Sequence, residues 1–324
     1  MLIRSLVGAM SLVLAVATPA QAKRDTPQYT SLTVFGDSLV DAGNIQTASG
    51  GTIPNASLGY FNGRFTNGYD YTDLISQNLF GTPTTPSLRG GTNFAFGGAR
   101  ATTTSNVPDL QEQLTAYNAY LLQPGKRVDA NGLYVLNFGG NDVFAAQNNN
   151  VPAGYANATA FLQDAAAKYA GAVQTLNNLG ARNILITGFP VLTSPFSAQA
   201  EQYLTTNLAG LSLNTSTTLY RFSYLDFFNR VRTDPTQFGL AANLNITGNC
   251  IAAGAQASGC AGFFSFDGTH PVAAVQTAIY NDLNRQFNIT GTIPEPAAWG
   301  LMIVGFGLVG GALRQRRAAQ VQLA

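Results

Sequence analysis

The sequence predicts an α/β fold in which a parallel β-sheet is covered by helices on both faces. Short β-branched and aromatic runs alternate along the chain with longer segments whose apolar residues recur at helical spacing. This repeated strand–helix order favours a parallel sheet, because each helix carries the chain back across the sheet. The motifs that carry reactive side chains follow the ends of predicted strands, which is the edge where such sheets bind ligands.

The predicted strands are apolar runs bounded by glycine, asparagine or other polar residues. They cover residues 32–35, 93–99 (a strand with its glycine turn), 134–138, 183–187 and 222–225. The predicted helices cover residues 68–80, 110–122, 161–179, 198–211 and 272–287. In the first of these helices, four apolar residues are spaced to form one buried face, namely Tyr71, Leu74, Ile75 and Leu79. Segments 48–65, 147–158 and 235–264 are rich in glycine, asparagine and threonine, and we expect long surface loops there.

The sequence Gly-Asp-Ser-Leu at residues 36–39 follows the first strand and precedes apolar residues at helical spacing. Ser38 therefore lies at a tight turn between a strand and a helix, where its hydroxyl points into a cleft. The free backbone amides at the start of a helix bind developing negative charge. This position suits a nucleophile, although Gly-Asp-Ser alone is also a common turn.

A serine nucleophile needs a base, and His270 is the only histidine in the chain. Asp267 lies three residues before it, with Gly268 between them. Such a loop folds back so that the carboxylate accepts the imidazole Nδ1 proton and Nε2 faces the serine. The predicted triad is therefore Ser38, His270 and Asp267, the alternative being a structural histidine beside an aspartate that caps a helix.

Donors for an oxyanion are predicted in two glycine-rich segments, residues 93–99 and 139–142. Each follows an apolar run, so each brings backbone amides to the end of a strand. The side-chain amide of Asn141 and the backbone amide of Ser38 are candidate donors.

With these motifs in order, the chain resembles a GDSL esterase/lipase of the SGNH hydrolase family. The matching blocks are residues 36–44, 93–99, 139–142 and 267–271, and residues 61–68 resemble a segment of the longer members. The resemblance spans roughly residues 30–290 and implies a three-layer α/β/α fold with a flavodoxin-like parallel sheet.

The resemblance implies that Ser38 is the nucleophile, His270 the base and Asp267 the orienting acid. It implies an oxyanion hole formed by Ser38, Gly98 and Asn141. The neighbouring Gly97 stays open as an alternative to Gly98. No metal or organic cofactor is expected for this chemistry.

Both ends of the chain carry features typical of targeting signals. Residues 1–22 combine Arg4, an apolar stretch and a closing Ala-Gln-Ala, which predicts a signal peptide cut after Ala22 rather than an uncleaved anchor. Residues 294–317 resemble a PEP-CTERM sorting tail: Pro-Glu-Pro, an apolar run and a basic end. The uncharged stretch 297–313 is about the minimum length for a membrane helix.

The tail resemblance implies cleavage by an exosortase-type membrane protease, after transient contact with the inner membrane of a Gram-negative bacterium. Retention as a C-terminal anchor is the alternative. The predicted hydrolase domain is then residues 23–293, exported to the envelope surface or the medium. The formal G-x-G-x-x-G at residues 305–310 lies inside the apolar run without a preceding strand, so it is not a dinucleotide-binding fingerprint.

Composition excludes some other classes of function. The net charge is +1 and only 10% of residues are charged, so no clustered basic face for nucleic acid is expected. The two cysteines, Cys250 and Cys260, are expected to pair in an oxidising compartment. With one histidine and no second cysteine pair, a zinc site is not expected.

We therefore expect hydrolysis of carboxylic esters through an acyl-enzyme. The substrate is open between an acyl lipid and an acylated polysaccharide, and acyl transfer on the same site is a further alternative. An apolar cleft for an acyl chain could be built from phenylalanines, namely Phe61, Phe65, Phe94, Phe96 or Phe144. A non-catalytic surface binding protein is the alternative from a different class.

Overall fold

The centre of the fold is a parallel sheet. A computed structural model describes residues 29–102, 105–191 and 194–291 of the chain. Within these ranges, four parallel strands form the sheet in the order β1-β2-β3-β4. They are β1 (Leu32–Gly36), β2 (Leu133–Asn137), β3 (Asn183–Thr187) and β4 (Thr218–Phe222). The parallel α/β fold expected from the sequence is confirmed.

Segment 93–99 is not a regular strand, although its start lies along the free edge of β1. The Val34 amide donates to the Thr92 carbonyl (3.0 Å), and the Phe94 amide donates to the Val34 carbonyl (2.7 Å). Counting this segment as the second strand in chain order gives the order 2-1-3-4-5 of flavodoxin-like sheets. The Phe96 amide continues the pairing by donating to the Gly36 carbonyl (3.1 Å), but the Gly36 amide donates to the Gln113 side chain (2.9 Å), which interrupts the ladder.

The strands β1 and β2 are buried along their whole length because helices cover both faces of the sheet. Successive side chains point to opposite faces. Phe35 and Leu136 therefore lie in one apolar core, whereas Val34 and Val135 lie in the other. This is the physical basis of the continuous apolar runs in the sequence.

Helices α3 to α6 contribute buried residues to the core that contains Phe35, and α2, α7 and α8 contribute to the opposite core. The helices are α1 (Asn44–Ala48), α2 (Tyr71–Phe80), α3 (Leu110–Leu121), α4 (Gly140–Gln147), α5 (Ala158–Leu179), α6 (Pro195–Ala209), α7 (Tyr224–Thr233) and α8 (Ala273–Phe287). Capping explains the start of α2, since the Asp70 carboxylate accepts the amides of Thr72 (2.8 Å) and Asp73 (3.0 Å).

The predicted strand at 222–225 is wrong. Strand β4 ends at Phe222, and α7 begins at Tyr224 after Ser223, whose hydroxyl accepts the Asp226 amide at 3.2 Å. β4 is an edge strand with partly exposed side chains, so it lacks the continuous apolar run of a central strand. The helix expected directly after residues 36–39 begins only at Asn44, after further turns. Helix α4 was not predicted, because it follows a glycine turn that is typical of a loop.

The predicted loop at 235–264 contains regular structure. It contributes β5 (Asn245–Asn249) and pairs it in parallel with β6 (Phe263–Ser265). A disulfide joins Cys250 to Cys260 between these strands. The small sheet therefore leads directly into the segment that carries Asp267 and His270.

Within the described ranges, no helix has the length and apolar character needed to cross a membrane. The predicted signal peptide (1–22), sorting tail (294–317) and apolar span (297–313) lie outside the residues that the structure describes.

Candidate active site

Ser38 lies immediately beyond the carboxyl end of β1 and is half-buried. The backbone of the preceding residue, Asp37, is fixed in place because its amide donates to the Asn137 carbonyl at 3.1 Å. Its carboxylate then accepts the Leu39 amide at 3.0 Å, which turns the chain sharply around the serine. The strand–turn geometry expected for a nucleophile is therefore present at Ser38.

The structure brings His270 and Asp267 to this serine from the other end of the chain. His270 Nε2 lies 2.7 Å from Ser38 Oγ, and His270 Nδ1 lies 2.6 Å from Asp267 Oδ2. The other carboxylate oxygen, Oδ1, accepts the backbone amides of Thr269 (2.9 Å) and His270 (2.8 Å). Gly268 permits this tight loop, since its φ of 101° is strained for a residue with a side chain.

The environment of Asp267 favours its charged form. Burial acts to raise the pKa of this carboxyl, but the hydrogen bond from His270, the charge of His270 and a hydrogen bond from Tyr60 outweigh it and hold the pKa well below its usual range. A carboxylate on Nδ1 orients the ring so that Nε2 is left to accept the serine proton.

Tyr60 was not singled out in the sequence. Its hydroxyl donates to Asp267 Oδ2 at 2.6 Å across a separation of 207 residues. No sequence motif links the two positions, and Tyr60 lies in a segment that the sequence predicts as a surface loop. Only the packing of that segment against the histidine loop brings them together.

The histidine loop is fixed on both sides. The Phe266 amide donates to the His270 carbonyl (2.7 Å), and the Thr66 hydroxyl donates to the Pro271 carbonyl (2.7 Å). The Phe65 ring packs against the imidazole with ring centres 5.2 Å apart. The disulfide-bonded segment adds a further hydrogen bond, from the Cys250 amide to the Ser265 carbonyl (3.0 Å). The imidazole is therefore held by contacts from several parts of the chain.

The predicted oxyanion donors lie on two linked segments. Asn141 is the second residue of α4, and its Nδ2 donates to the Ala99 carbonyl at 2.8 Å. The Gly97 amide donates to Asp41 Oδ2 at 2.8 Å and is therefore occupied. Within the described ranges, the amides of Ser38 and Gly98 form no hydrogen bond. Ser38 and Asn141 line one cavity with His270, whereas Gly98 is not part of its wall.

A buried aspartate ties the start of α4 to the end of the glycine block. Asp142 accepts the Ala101 amide and the Thr102 hydroxyl, each at 2.8 Å. Burial raises its pKa to about 6, although these hydrogen bonds act in the opposite direction. The contacts of Asp142 and Asn141 together fix the two predicted oxyanion segments relative to each other.

A polar network lies beneath the serine. Asn137 Oδ1 accepts the hydroxyls of Tyr71 (3.0 Å) and Tyr224 (2.7 Å), and its Nδ2 donates to Asp37 Oδ1 (3.2 Å). Burial raises the pKa of Asp37 to about 7, with the charge of Asp142 adding to the effect and hydrogen bonds opposing it. These side chains were not predicted as part of the site.

The cavity beside the triad has a volume of about 300 Å³. Polar and apolar side chains both line its wall, and Gln147 and Thr269 add polar groups to those of the triad. The apolar side chains that line it include Leu39, Phe144, Val191, Phe228, Ile246 and Phe264. In the part of the chain that is described, no group of three or more histidine, cysteine, aspartate or glutamate side chains could hold a metal ion.

Of the phenylalanines considered for an acyl-chain cleft, only Phe144 lines this cavity. Phe94 and Phe96 are buried in the core against the sheet. Phe65 packs on the imidazole, and Phe61 packs on Tyr69 with ring centres 4.9 Å apart. Other apolar parts of the wall come from α7 and the β5–β6 segment, which the sequence did not associate with the site.

Comparison with known proteins supports the interpretation of these motifs. Residues 32–283 match the family described as "GDSL-like Lipase/Acylhydrolase", and residues 292–317 match the "PEP-CTERM protein-sorting motif". The sorting tail expected from the sequence is therefore confirmed as a motif.

Among curated proteins, the chain is similar to "Lipase 1" of Photorhabdus luminescens, with 36% identity over 170 residues, which cover 50% of this chain and 22% of that protein. It is also similar to the "Thermolabile hemolysin" of Vibrio parahaemolyticus, with 32% identity covering 54% of this chain and 36% of that protein. A Pseudomonas putida protein of the trpE-trpG intergenic region is 28% identical over 86% of this chain and 45% of its own length. The chain thus spans less than half the length of each of these relatives.

Proposed function

The chain belongs to the family of GDSL-like lipases and acylhydrolases, and we therefore propose that it is a serine hydrolase that cleaves carboxylic esters. The proposed nucleophile is Ser38, with His270 as base and Asp267 as orienting acid. The observation that carries this proposal is the pair of short contacts made by His270, 2.7 Å to Ser38 Oγ and 2.6 Å to Asp267 Oδ2. A nucleophile and base within hydrogen-bond reach, with the base oriented by a third group, are the requirements for an activated serine.

In the first step, His270 Nε2 takes the Ser38 proton as Oγ attacks the ester carbonyl. The negative charge that develops on the carbonyl oxygen is stabilised by the backbone amides of Ser38 and Gly98 and the side-chain amide of Asn141. The ester C–O bond then breaks, and the imidazolium donates its proton to the departing alcohol oxygen. Ser38 is left as an acyl ester.

In the second step, His270 accepts a proton from water as the water oxygen attacks the acyl carbonyl. The bond to Ser38 Oγ breaks, the serine recovers its proton from the imidazolium, and the acid is released. Throughout both steps, Asp267 stabilises the imidazolium and keeps Nδ1 protonated. An alcohol in place of water would give acyl transfer on the same site.

The cavity wall supports an acyl group as the part of the substrate bound beside the serine. Phe144, Val191 and Phe228 offer apolar surface, which gains free energy when it covers a hydrocarbon chain. The name of the Photorhabdus relative, "Lipase 1", agrees with this preference. We therefore favour a fatty-acyl ester over an acetylated polysaccharide, for which a smaller and more polar site would be sufficient.

The sorting motif supports export to the cell envelope or the medium. We propose that residues 1–22 are removed as a signal peptide and that residues 23–293 form the hydrolase domain. In this proposal, an exosortase-type protease recognises the tail at 294–317 while residues 297–313 are transiently anchored in the inner membrane. The mass of the mature C-terminus distinguishes cleavage near the motif from a retained anchor.

The function is tested by hydrolysis of p-nitrophenyl esters from acetate to palmitate, comparing the wild-type chain with Ser38→Ala. Turnover is expected to fall by roughly four orders of magnitude or more in the variant. A fluorophosphonate probe should label Ser38 in the wild type. A folded wild-type chain that neither hydrolyses any ester nor takes the label would instead be a binding protein.

A further inference from the structure

The side chain of Tyr60 contacts the acid of the proposed triad. We propose that Tyr60 is a positioning residue whose hydroxyl shares the Asp267 carboxylate with His270 and so limits the negative charge that acts on the imidazole. This inference rests on the proposed Ser38–His270–Asp267 triad, and it adds to it a side chain from a distant loop.

The geometry at one oxygen atom carries the proposal. Asp267 Oδ2 accepts both the Tyr60 hydroxyl and His270 Nδ1, each at 2.6 Å. The other oxygen, Oδ1, is already occupied by the backbone amides of Thr269 and His270. The phenol and the imidazole therefore compete for the electron density of the same oxygen, and the carboxylate cannot satisfy one of them elsewhere without breaking a loop contact.

The phenol is kept in place and kept protonated. Its ring packs edge-on against Phe266 at 4.9 Å and against Phe65 at 6.3 Å, and Phe65 in turn packs on His270. Burial raises the pKa of Tyr60 well above its usual value, and the hydrogen bond to Asp267 adds to this effect. Tyr60 therefore acts as a hydrogen-bond donor near neutral pH.

Other titratable groups near the imidazole do not contact Tyr60. Asp37 and Tyr224 line the same cavity as His270. The Asp37 carboxylate accepts from Leu39 and Asn137, and the Tyr224 hydroxyl donates to Asn137. Among the described residues, none that lines the cavity is a lysine, arginine or glutamate. Loss of the Tyr60 hydroxyl alone therefore reaches His270 through Asp267, because a phenylalanine at this position keeps the ring contact with Phe65.

The experiment uses the fact that the chain has one histidine, so its ring protons can be assigned without ambiguity by NMR. In Tyr60→Phe, the ring packing is kept and only the hydroxyl is lost. The freed oxygen stabilises the imidazolium more strongly, so the midpoint of the ring titration should rise by about 0.5 to 1 pH unit. Loosening of the loop would instead separate the ion pair and lower the midpoint, so a fall or an unchanged midpoint overturns the proposal.

Tyr155→Phe is the matched control. Tyr155 also donates its hydroxyl to an aspartate, Asp164 (2.5 Å), and packs edge-on against a phenylalanine, Phe161 (5.0 Å), away from the cavity. This variant should leave the histidine titration unchanged. Its free energy of unfolding shows how much the loss of a Tyr–Asp hydrogen bond alone lowers stability.

Kinetics give the second readout. In Tyr60→Phe, the acid limb of kcat/KM should move to higher pH by the same amount as the ring titration, with KM little changed because Tyr60 does not line the cavity. In an Asp267→Ala background, the same substitution should have no further effect on kcat, because the shared carboxylate is gone. Additive losses would overturn the proposal.

Failure of the proposed hydrolase function and failure of the proposal for Tyr60 give different results. A folded wild-type chain that hydrolyses no ester defeats the proposed function, yet the ring titration still tests the effect of Tyr60 on His270. An active wild type whose pH profile coincides with that of Tyr60→Phe defeats the inference alone.

Discussion

Asp41 Oδ2 lies 2.8 Å from the Gly97 amide nitrogen, so the extension of the Gly-Asp-Ser-Leu motif is hydrogen-bonded to the glycine block. The same carboxylate accepts the amides of Gly43 (2.8 Å) and Asn44 (2.6 Å). Because the Gly97 amide is engaged in this way, Gly98 is the better candidate for an oxyanion donor. One buried carboxylate thus organises two of the motifs found in the sequence.

Substitution of Asp41 by alanine should destabilise the protein. It leaves several buried amides without an acceptor, and the expected loss is about 2–4 kcal/mol in the free energy of unfolding. Urea denaturation measures this difference. Asp234→Ala is the control, since that exposed carboxylate also accepts a backbone amide, from Thr236 at 3.0 Å, and its loss should matter much less. Equal effects of the two substitutions would show that burial of the Asp41 contacts is unimportant.

Substitution of Asn141 by alanine should lower kcat by about 10²–10³-fold, the effect of removing one oxyanion donor. Since the side chain acts mainly in the transition state, KM for a p-nitrophenyl ester should change little. Asn148→Ala, at the exposed C-terminal end of the same helix, is the matched control and should retain wild-type kcat. A wild-type kcat for Asn141→Ala would remove this residue from the proposed mechanism.

Stability should fall as the pH rises from 5 to 8. Burial raises the pKa of Asp37 from 3.8 to about 7, so between these values the folded state holds a proton that the unfolded state has released. The stabilisation that the folded state gains by keeping this proton on Asp37 is present at low pH and is lost as the pH rises through 7. Burial raises the pKa of Asp70 to about 7 as well, with the charge of Asp73 adding to the effect, so Asp70 contributes in the same direction.

Asp37→Asn keeps an oxygen to accept from Leu39 and Asn137 but cannot ionise. The free energy of unfolding, measured at pH 5 and pH 8, should therefore decrease less in this variant than in the wild type. Parallel slopes for the two proteins would mean that Asp37 does not titrate in this range.

Phe144→Ala should enlarge the cavity beside Ser38, because this half-buried ring forms part of its wall. The chain length of the p-nitrophenyl ester with the highest kcat/KM should then increase by several methylene groups. Phe80→Ala removes a ring that is 39% exposed and distant from the cavity, and it should leave the chain-length profile unchanged. An unaltered profile in Phe144→Ala would place the acyl chain elsewhere.

The central strands and their helices could be predicted because the pattern of apolar residues in the sequence matches the residues that the fold buries. β1, β2 and β3 are apolar on both faces, and each was predicted to within a residue or so at its ends. The edge strand β4 was misplaced since only one of its residues is fully buried. Local pattern is informative where the sheet is covered and weak where it is not.

The residues of the candidate site also divide into those that the sequence could predict and those that it could not. Ser38, Asp267 and His270 could be named from the sequence because a nucleophile, a base and an acid must be particular residue types, and the chain has one histidine. Their roles remain predictions that the experiments above test. The sequence favoured Gly98 by resemblance alone and left Gly97 open, whereas the structure shows that the Gly97 amide is occupied. The contact of Tyr60 with Asp267 could not be predicted without knowing which loops touch.

The order of the motifs, the parallel α/β architecture and the residue types available for catalysis follow from the sequence, because they depend on local periodicity and side-chain chemistry. The partners of each polar group follow only from the way the chain folds. Asp267 meets Tyr60 across 207 residues, and Asn137 meets Tyr224 across 87. Such contacts arise when distant segments are buried against one another, and no local pattern of residues records that packing.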